Sequence, residues 1–448
     1  MKRISFALLV ALSAAHVLGP RASAQADVDR ALAEEIYKIR AIDNHAHPLR
    51  ATREGEEDRE FDALIPDTLE PSPLPVRLRP DNAEYAAAWR ELWGFPTDMG
   101  STEVRAGEVP AARLRGMRNL GDKYPAWVLD RLNIEVMFAN RVAMGRGLTR
   151  ERFRWVSFVD ALILPLSSAA VRKIHPDYAA FYPGEDALLK RYLSELNMKA
   201  VPATLREYTA RVVTPTLERQ KREGAVAVKF EAAYLRALDF ADASESEASR
   251  VYARYARGPS SNVAPTASEY KPLQDFLFRY VAREAGRLGM AVHIHTGNGV
   301  GGYFGVAGSN PALLESAFND PSLHKTNFVL IHGGWPFADQ AAALLLKPNV
   351  YADFSAQTFF RSPHSLAATL RGWLELAPEK VMFATDAFAL TPEVGWEEVG
   401  WLSNRTGRDA LAIALTAMMR DGEITRPRAS ELARMVMRDN AATLYGIK

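Results

Sequence analysis

The chain has 448 residues, with 55 Lys and Arg against 54 Asp and Glu, a formal charge of +1 and no cysteine. Near-neutrality offers nucleic acid no basic footprint, and the lack of thiols excludes disulfides and thiolate ligands, so any metal must sit on nitrogen and oxygen. The length exceeds one ordinary domain yet suits a barrel of eight βα units with insertions.

Met1-Lys2-Arg3, the apolar run from Ile4 to Gly19 and the small-residue ending ASAQA read as a secretory signal peptide over residues 1–24, with cleavage after Ala24 or Ala26. The run is short for a bilayer span of about 20 residues. Its removal takes away Lys2, Arg3, His16 and Arg21, so residues 25–448 carry a formal charge of −2 as one periplasmic or secreted domain. No other stretch is apolar enough to span a membrane. The expected partner is a small-molecule substrate, with neither nucleic acid nor membrane involved once the leader is gone; a homo-oligomer stays open.

Eight short runs rich in β-branched and aromatic residues follow in order. IRAIDNHAH (39–47) comes first, and alternation along a strand points His45 and His47 to the same side. Two neutral imidazoles converging on one point suit a transition metal. NIEVMFANR (133–141) ends in Arg141, either a bidentate clamp for a substrate carboxylate or a structural ion pair. FRWVSFVDA (153–161) is next. AVAVKFEA (225–232) alternates Ala225, Ala227, Lys229 and Glu231 against Val226, Val228 and Phe230, which turns Lys229 inward. PLQDFLFRYVAREAGRLG (272–289) has a helical stripe of Leu273, Phe276, Leu277, Tyr280, Val281 and Leu288. GMAVHIHTG (289–297) places His293 and His295 on one face, and NPALLESAF starts a helix with proline behind a capping asparagine. TNFVLIHGG (326–334) ends at His332, NVYADFSAQ (349–357) precedes the helical SPHSLAATLRGWLELA, and KVMFATDAF (380–388) carries Asp386.

Strands alternating with helices imply parallel βα units, and eight of them imply an α/β fold of the (β/α)8 TIM-barrel type. Insertions at about 48–131, which includes the proline-rich PDTLEPSPLPVRLRP read as irregular loop, and at about 238–271 follow strands one and four. Both are expected over the C-terminal mouth as lids or substrate walls. Active sites of such barrels lie at the C-terminal strand ends, where His45, His47, Lys229, His295, His332 and Asp386 all fall. Tyr234 and Trp335 are candidate pocket walls. His293 reads as a support for the ligands or as core, while His175, His324 and His364 lie off the strand ends and read as surface or capping groups.

The motifs DNHAH, VKF, HIHTG, LIHGG and FATDA, in that order, and the ending MVMRDNAATLYGI resemble the amidohydrolase superfamily of metal-dependent barrels over roughly residues 30–447. HIHTG and LIHGGWPF are most similar to the branch with decarboxylases and the amidohydrolase-like domains fused to some glutamine synthetases. The resemblance implies one ion on His45, His47 and Asp386. It also implies a strand-four lysine, here Lys229, bridging to a second ion on His295 and His332. A lysine ammonium has no lone pair for a cation, whereas its carbamate is an anionic bridge; an unmodified Lys229 would instead bind a substrate carboxylate as a point charge. Zinc is the first expected metal, as one or two ions.

The leading expectation is a hydrolase in which metal-activated water attacks an amide, ester or lactone carbonyl and Asp386 passes the proton to the leaving group. The alternatives are a metal-dependent decarboxylase of an unsaturated or aromatic acid and a non-catalytic periplasmic binding protein.

Overall fold

The apolar runs meet as eight parallel strands: β1 Ala41–Ala46, β2 Ile134–Arg141, β3 Phe153–Phe158, β4 Ala225–Phe230, β5 Ala291–His295, β6 Phe328–Ile331, β7 Val350–Asp353 and β8 Val381–Met382. This computed structural model describes residues 28–448 apart from 54, 65–68, 71, 97–101 and 257–262. The signal-peptide expectation lies outside the described residues. Each strand pairs with the next in sequence. The seam between the last and the first is closed by Asn44 N–H to Phe383 O at 3.0 Å, Asp386 N–H to His45 O at 2.7 Å and His47 N–H to Ala387 O at 2.7 Å. The fold is a (β/α)8 TIM barrel.

Alternation sorts the side chains. Ile42, Phe138, Val156, Ala227, Val329 and Met382 fill the barrel axis, while Val228 and Phe230 join the larger core under the helices. The helix Ala267–Arg287 starts on a Thr266/Glu269 capping box and buries Leu273, Leu277, Phe278 and Val281. Helix Pro363–Leu376 follows β7 as expected. NPALLESAF is a 3-10 turn, Pro311–Leu314, running into Glu315–Phe318.

β8 is shorter than the expected run of 380–388. After Met382 the chain leaves the ladder because the Asp43 carboxylate takes over its donors: the Thr385 amide reaches it at 2.9 Å and the Thr385 hydroxyl at 2.5 Å. That departure frees Asp386 to turn into the mouth.

The insertions divide in role. In the first, Ser72–Leu78 and Phe61–Leu64 line the mouth, and the helices Glu84–Trp93, Thr102–Leu120 and Tyr124–Arg131 follow. The proline-rich run is irregular at 72–75 and becomes a 3-10 turn at Val76–Leu78. The second insertion forms a capped helix, Glu245–Tyr255. It packs on the helix Ala267–Arg287, and none of its described residues lines the mouth cavity, so it is part of the outer layer. Among the described residues no helix is long and apolar enough to cross a membrane.

Arg141 corrects one expectation. It is wholly buried and forms a bidentate pair with Asp58, at 2.8 and 2.9 Å, while also donating to Pro48 O and Ala143 O. Its donors clamp the root of the first insertion to β2, and it lines neither part of the cavity. Truncation would take the bidentate partner from buried Asp58 and leave it the Arg50 and Glu60 amides, at 2.8 and 3.2 Å, and the Arg50 guanidinium at 3.5 Å. Arg141→Ala is therefore expected to lower the free energy of unfolding by about 3–5 kcal/mol, measured by urea denaturation; a loss under about 1 kcal/mol would show that the pair is dispensable.

Candidate metal centre

The strand ends bring their ligand-type residues together. His45 Nε2 lies 3.1 Å from Asp386 Oδ1 and His47 Nε2 lies 3.5 Å from the same oxygen. His332 Nε2 faces His295 Nδ1 at 3.1 Å, and the His45 and His332 rings are 5.1 Å apart between centroids. Donors about 2.0–2.1 Å from a tetrahedral ion are roughly 3.3 Å apart, the scale of these separations. Donor atoms of His45, His332 and Asp386 lie within 4.8 Å of one another, as do those of His47, Asp62 and Glu231.

The chemistry of the donors fits a cation. His45 Nδ1, His295 Nε2, Lys229 Nζ and Glu231 Oε2 are buried without a hydrogen-bond partner in the protein. Each orphan costs about 1–3 kcal/mol, and so many in one place signals a site shaped for something they bind. Burial, and then the charge of Lys229, push His45 and His295 well below the usual histidine range; burial and the neighbouring His295 do so for His332. Neutral rings offer the lone pairs a metal needs. Burial also pushes the Asp386 carboxyl up to about 7.

A hydrogen-bonded floor orients these groups. Asp353 accepts from Ser355 Oγ at 2.5 Å, from the His332 amide at 3.0 Å and from Asn44 Nδ2 at 2.8 Å. The Ser355 hydroxyl, having given its proton to Asp353, accepts from His332 Nδ1 at 2.8 Å. That sets the His332 tautomer and turns Nε2 into the site. His293 sits one layer lower, 2.6 Å from the Tyr445 hydroxyl, which donates to Asn44 Oδ1 at 2.8 Å. His293 is thus a support beneath the ligands. His332, Ala356 and Asp386 hold φ of +67, +56 and +55, strained values for non-glycine residues that gather at the site.

Lys229 is fully buried, with Nζ 3.7 Å from Glu231 Oε1. Behind it, burial pushes Asp160 up to about 7 and raises Glu185 and Glu231 well above the carboxylate range. Tyr234 lies beside His295, with ring centroids 4.5 Å apart, and lines the cavity. Trp335 does not line it. Its ring stacks on Phe360, and its carbonyl accepts from the Asn298 amide at 2.7 Å. His175 stacks on Tyr303, while His324 and His364 are exposed.

The cavity has two chambers sharing Tyr234, His295, Val300, His332, Asp386 and Phe388: an inner one of about 80 Å³ and an outer one of about 330 Å³. Two contributors escaped sequence reasoning. Asp62, from the first insertion, stands 3.0 Å from His47 Nδ1, and although burial pushes its carboxyl up, His47 brings it below the usual value. The second is the loop after β5, with six glycines between Gly297 and Gly308. Gly297 has φ +77, and a Cβ there would lie 2.2 Å from the Trp335 carbonyl, so only glycine permits the contact. The density of glycine was the available signal.

The profile of the family described as Amidohydrolase matches residues 42–447. Protein fluG of Emericella nidulans is 28% identical over 220 residues, which is 47% of this chain and 24% of that protein. The chain thus spans about a quarter of the length of this curated relative. A candidate metal-dependent hydrolase from Lactobacillus casei superposes with a TM-score of 0.60 at 15% identity, covering 93% of this chain and 97% of its own. Glucuronate isomerase from Caulobacter crescentus gives a TM-score of 0.63 at 13% identity, covering 95% of both chains. At such identities the structural likeness is one of fold.

Asp62 is placed to hold the His47 ring so that Nε2 faces Asp386. Asp62→Asn is expected to weaken divalent-metal affinity about 10–100-fold, measured by chelator competition. Unchanged affinity would remove Asp62 from this role.

Proposed function

This chain belongs to the amidohydrolase family, and from that premise we propose that it is a metal-dependent hydrolase of a small-molecule amide, with esters or lactones as related substrates. The single observation that supports this most is Asp386: its carboxylate lies against His45 and His47 and lines both chambers of the cavity. We place a first ion on His45, His47 and Asp386, and a second on His295, His332 and a carbamylated Lys229. Zinc suits imidazole and carboxylate ligands of this kind. When bound, the metal would supply a water of lowered pKa and polarise the scissile carbonyl.

The residues themselves do the rest. Asp386 takes the proton of the attacking water on its free carboxylate oxygen and returns it to the leaving nitrogen as the C–N bond breaks, giving an acid and an amine. Phe61, Leu64 and Phe181 line the inner chamber and keep bulk water from the reacting atoms. Tyr234 forms a wall on the His295 side. The leader Met1–Ala24 supports export from the cytoplasm as the setting.

One observation favours a second reading, metal-dependent decarboxylation. Lys229 Nζ is buried without a hydrogen-bond partner, and as an ammonium it would seat a substrate carboxylate. Incorporation of oxygen from labelled water into product supports hydrolysis, whereas CO₂ release without it supports the second reading.

Two outcomes test the assignment. Asp386→Asn keeps the volume and removes the base, so turnover should fall about 10²–10⁴-fold; near-normal turnover with metal retained would sink the role given to Asp386. Metal content per chain, measured with bicarbonate present, should fall in Lys229→Ala. A single ion indifferent to that substitution would make Lys229 a substrate residue and favour decarboxylation.

A further inference from the structure

The outer chamber differs in chemistry from the centre it opens on. Its walls are Leu74 and Leu78 from the first insertion, Phe359 and Phe360 after β7, and Phe388 and Leu390 after β8. Among the described lining residues, the ionisable ones are Tyr234 and the ligand residues His295, His332 and Asp386; none is a lysine or arginine. Two arginines stand next to these walls, and both turn away. Arg77, within the Ser72–Leu78 wall, donates to Thr358 O, Thr406 Oγ1 and the Glu84 carboxylate. Arg361, which follows Phe360, donates to Gln357, Ser365 and Thr369. Two cations within reach of these walls are thus used to brace them. Asn298 and Ser72 offer the remaining polar side chains, suited to a neutral hydrogen-bonding group.

From this lining, and resting on the hydrolase reading above, we infer that the substrate carries an uncharged apolar substituent, aromatic or branched aliphatic, which occupies the outer chamber beside the scissile bond. A carboxylate carried there would lose its water without gaining a lysine or arginine partner from these walls. The chamber volume of about 330 Å³ falls within the range of small-molecule sites, with room for a ring. The class is therefore a neutral acyl or aryl amide or ester, as distinct from sugar acids and from peptides with a free carboxylate on that side.

The test uses the full metal-loaded protein and two hydroxamates, which share a metal-binding head and differ in the tail. Phenylbutyryl hydroxamate has an apolar tail and glutaryl monohydroxamate a carboxylate. Calorimetry is expected to show the phenyl compound binding at least about tenfold tighter. Phe360→Ala should reduce that preference, and Leu74→Arg, which places a cation in the wall, should raise affinity for the glutaryl compound. These variants alter different walls, so misfolding of one leaves the other as a test. Equal or tighter binding of the glutaryl compound by the unaltered protein overturns this inference while leaving the hydrolase reading in place. Failure of both compounds to bind, together with no cleavage of any amide or ester, overturns the hydrolase reading and this inference with it.

Discussion

The position of one carboxylate governs the architecture of the mouth. Asp386 must reach His45 and His47 with one oxygen and face His332, 3.9 Å away, with the other. A regular strand cannot deliver it there, because the residue has to turn through φ +55. The chain solves this by ending β8 after two residues and replacing its ladder with bonds to the Asp43 side chain. Asp43 is itself buried, and burial pushes its carboxyl up to about 7; donors from Thr385 and the His45 amide compensate. Local disorder of the sheet pattern is thus the condition for order in the ligands.

The floor follows the same logic. Asp353 gathers donors from three segments, and through Ser355 it determines which nitrogen of His332 points upward. Such outer groups set ligand orientation as firmly as the ligands set the ion. The apolar layer of Ile42, Phe138, Val329 and Met382 beneath them excludes water from the barrel axis. The candidate ligands lie at the top of the barrel, where burial makes each unmatched group costly and each matched one strong.

Periodicity made the barrel legible. All eight strands were readable because period-two alternation and βα spacing are local properties, and the histidines at β1, β5 and β6 could be aligned by counting along a strand. What sequence could not disclose depends on distant pairing. Arg141 meets Asp58, 83 positions away, across a long insertion, and nothing near Arg141 foretells that partner. Asp62 reaches His47 through the same insertion, whose path over the mouth is set by packing. The second insertion was expected over the mouth like the first, yet it packed outward onto a helix, since a capped amphipathic segment finds its apolar partner wherever one is available.

Tyr445 has a consequence for the order of assembly. Its hydroxyl joins Asn44 on β1 to His293 on β5, bridging 401 positions of sequence in the first case. Every strand and every ligand precedes it along the chain. A nascent chain that has laid down β1–β8 therefore holds the full ligand set over an unfinished floor, and the helix Asn440–Tyr445 acts as a closing bolt inserted from below. Completion of the floor beneath the strand ends therefore waits on a helix that follows all eight strands, so the barrel is laid down before the bolt that braces its mouth.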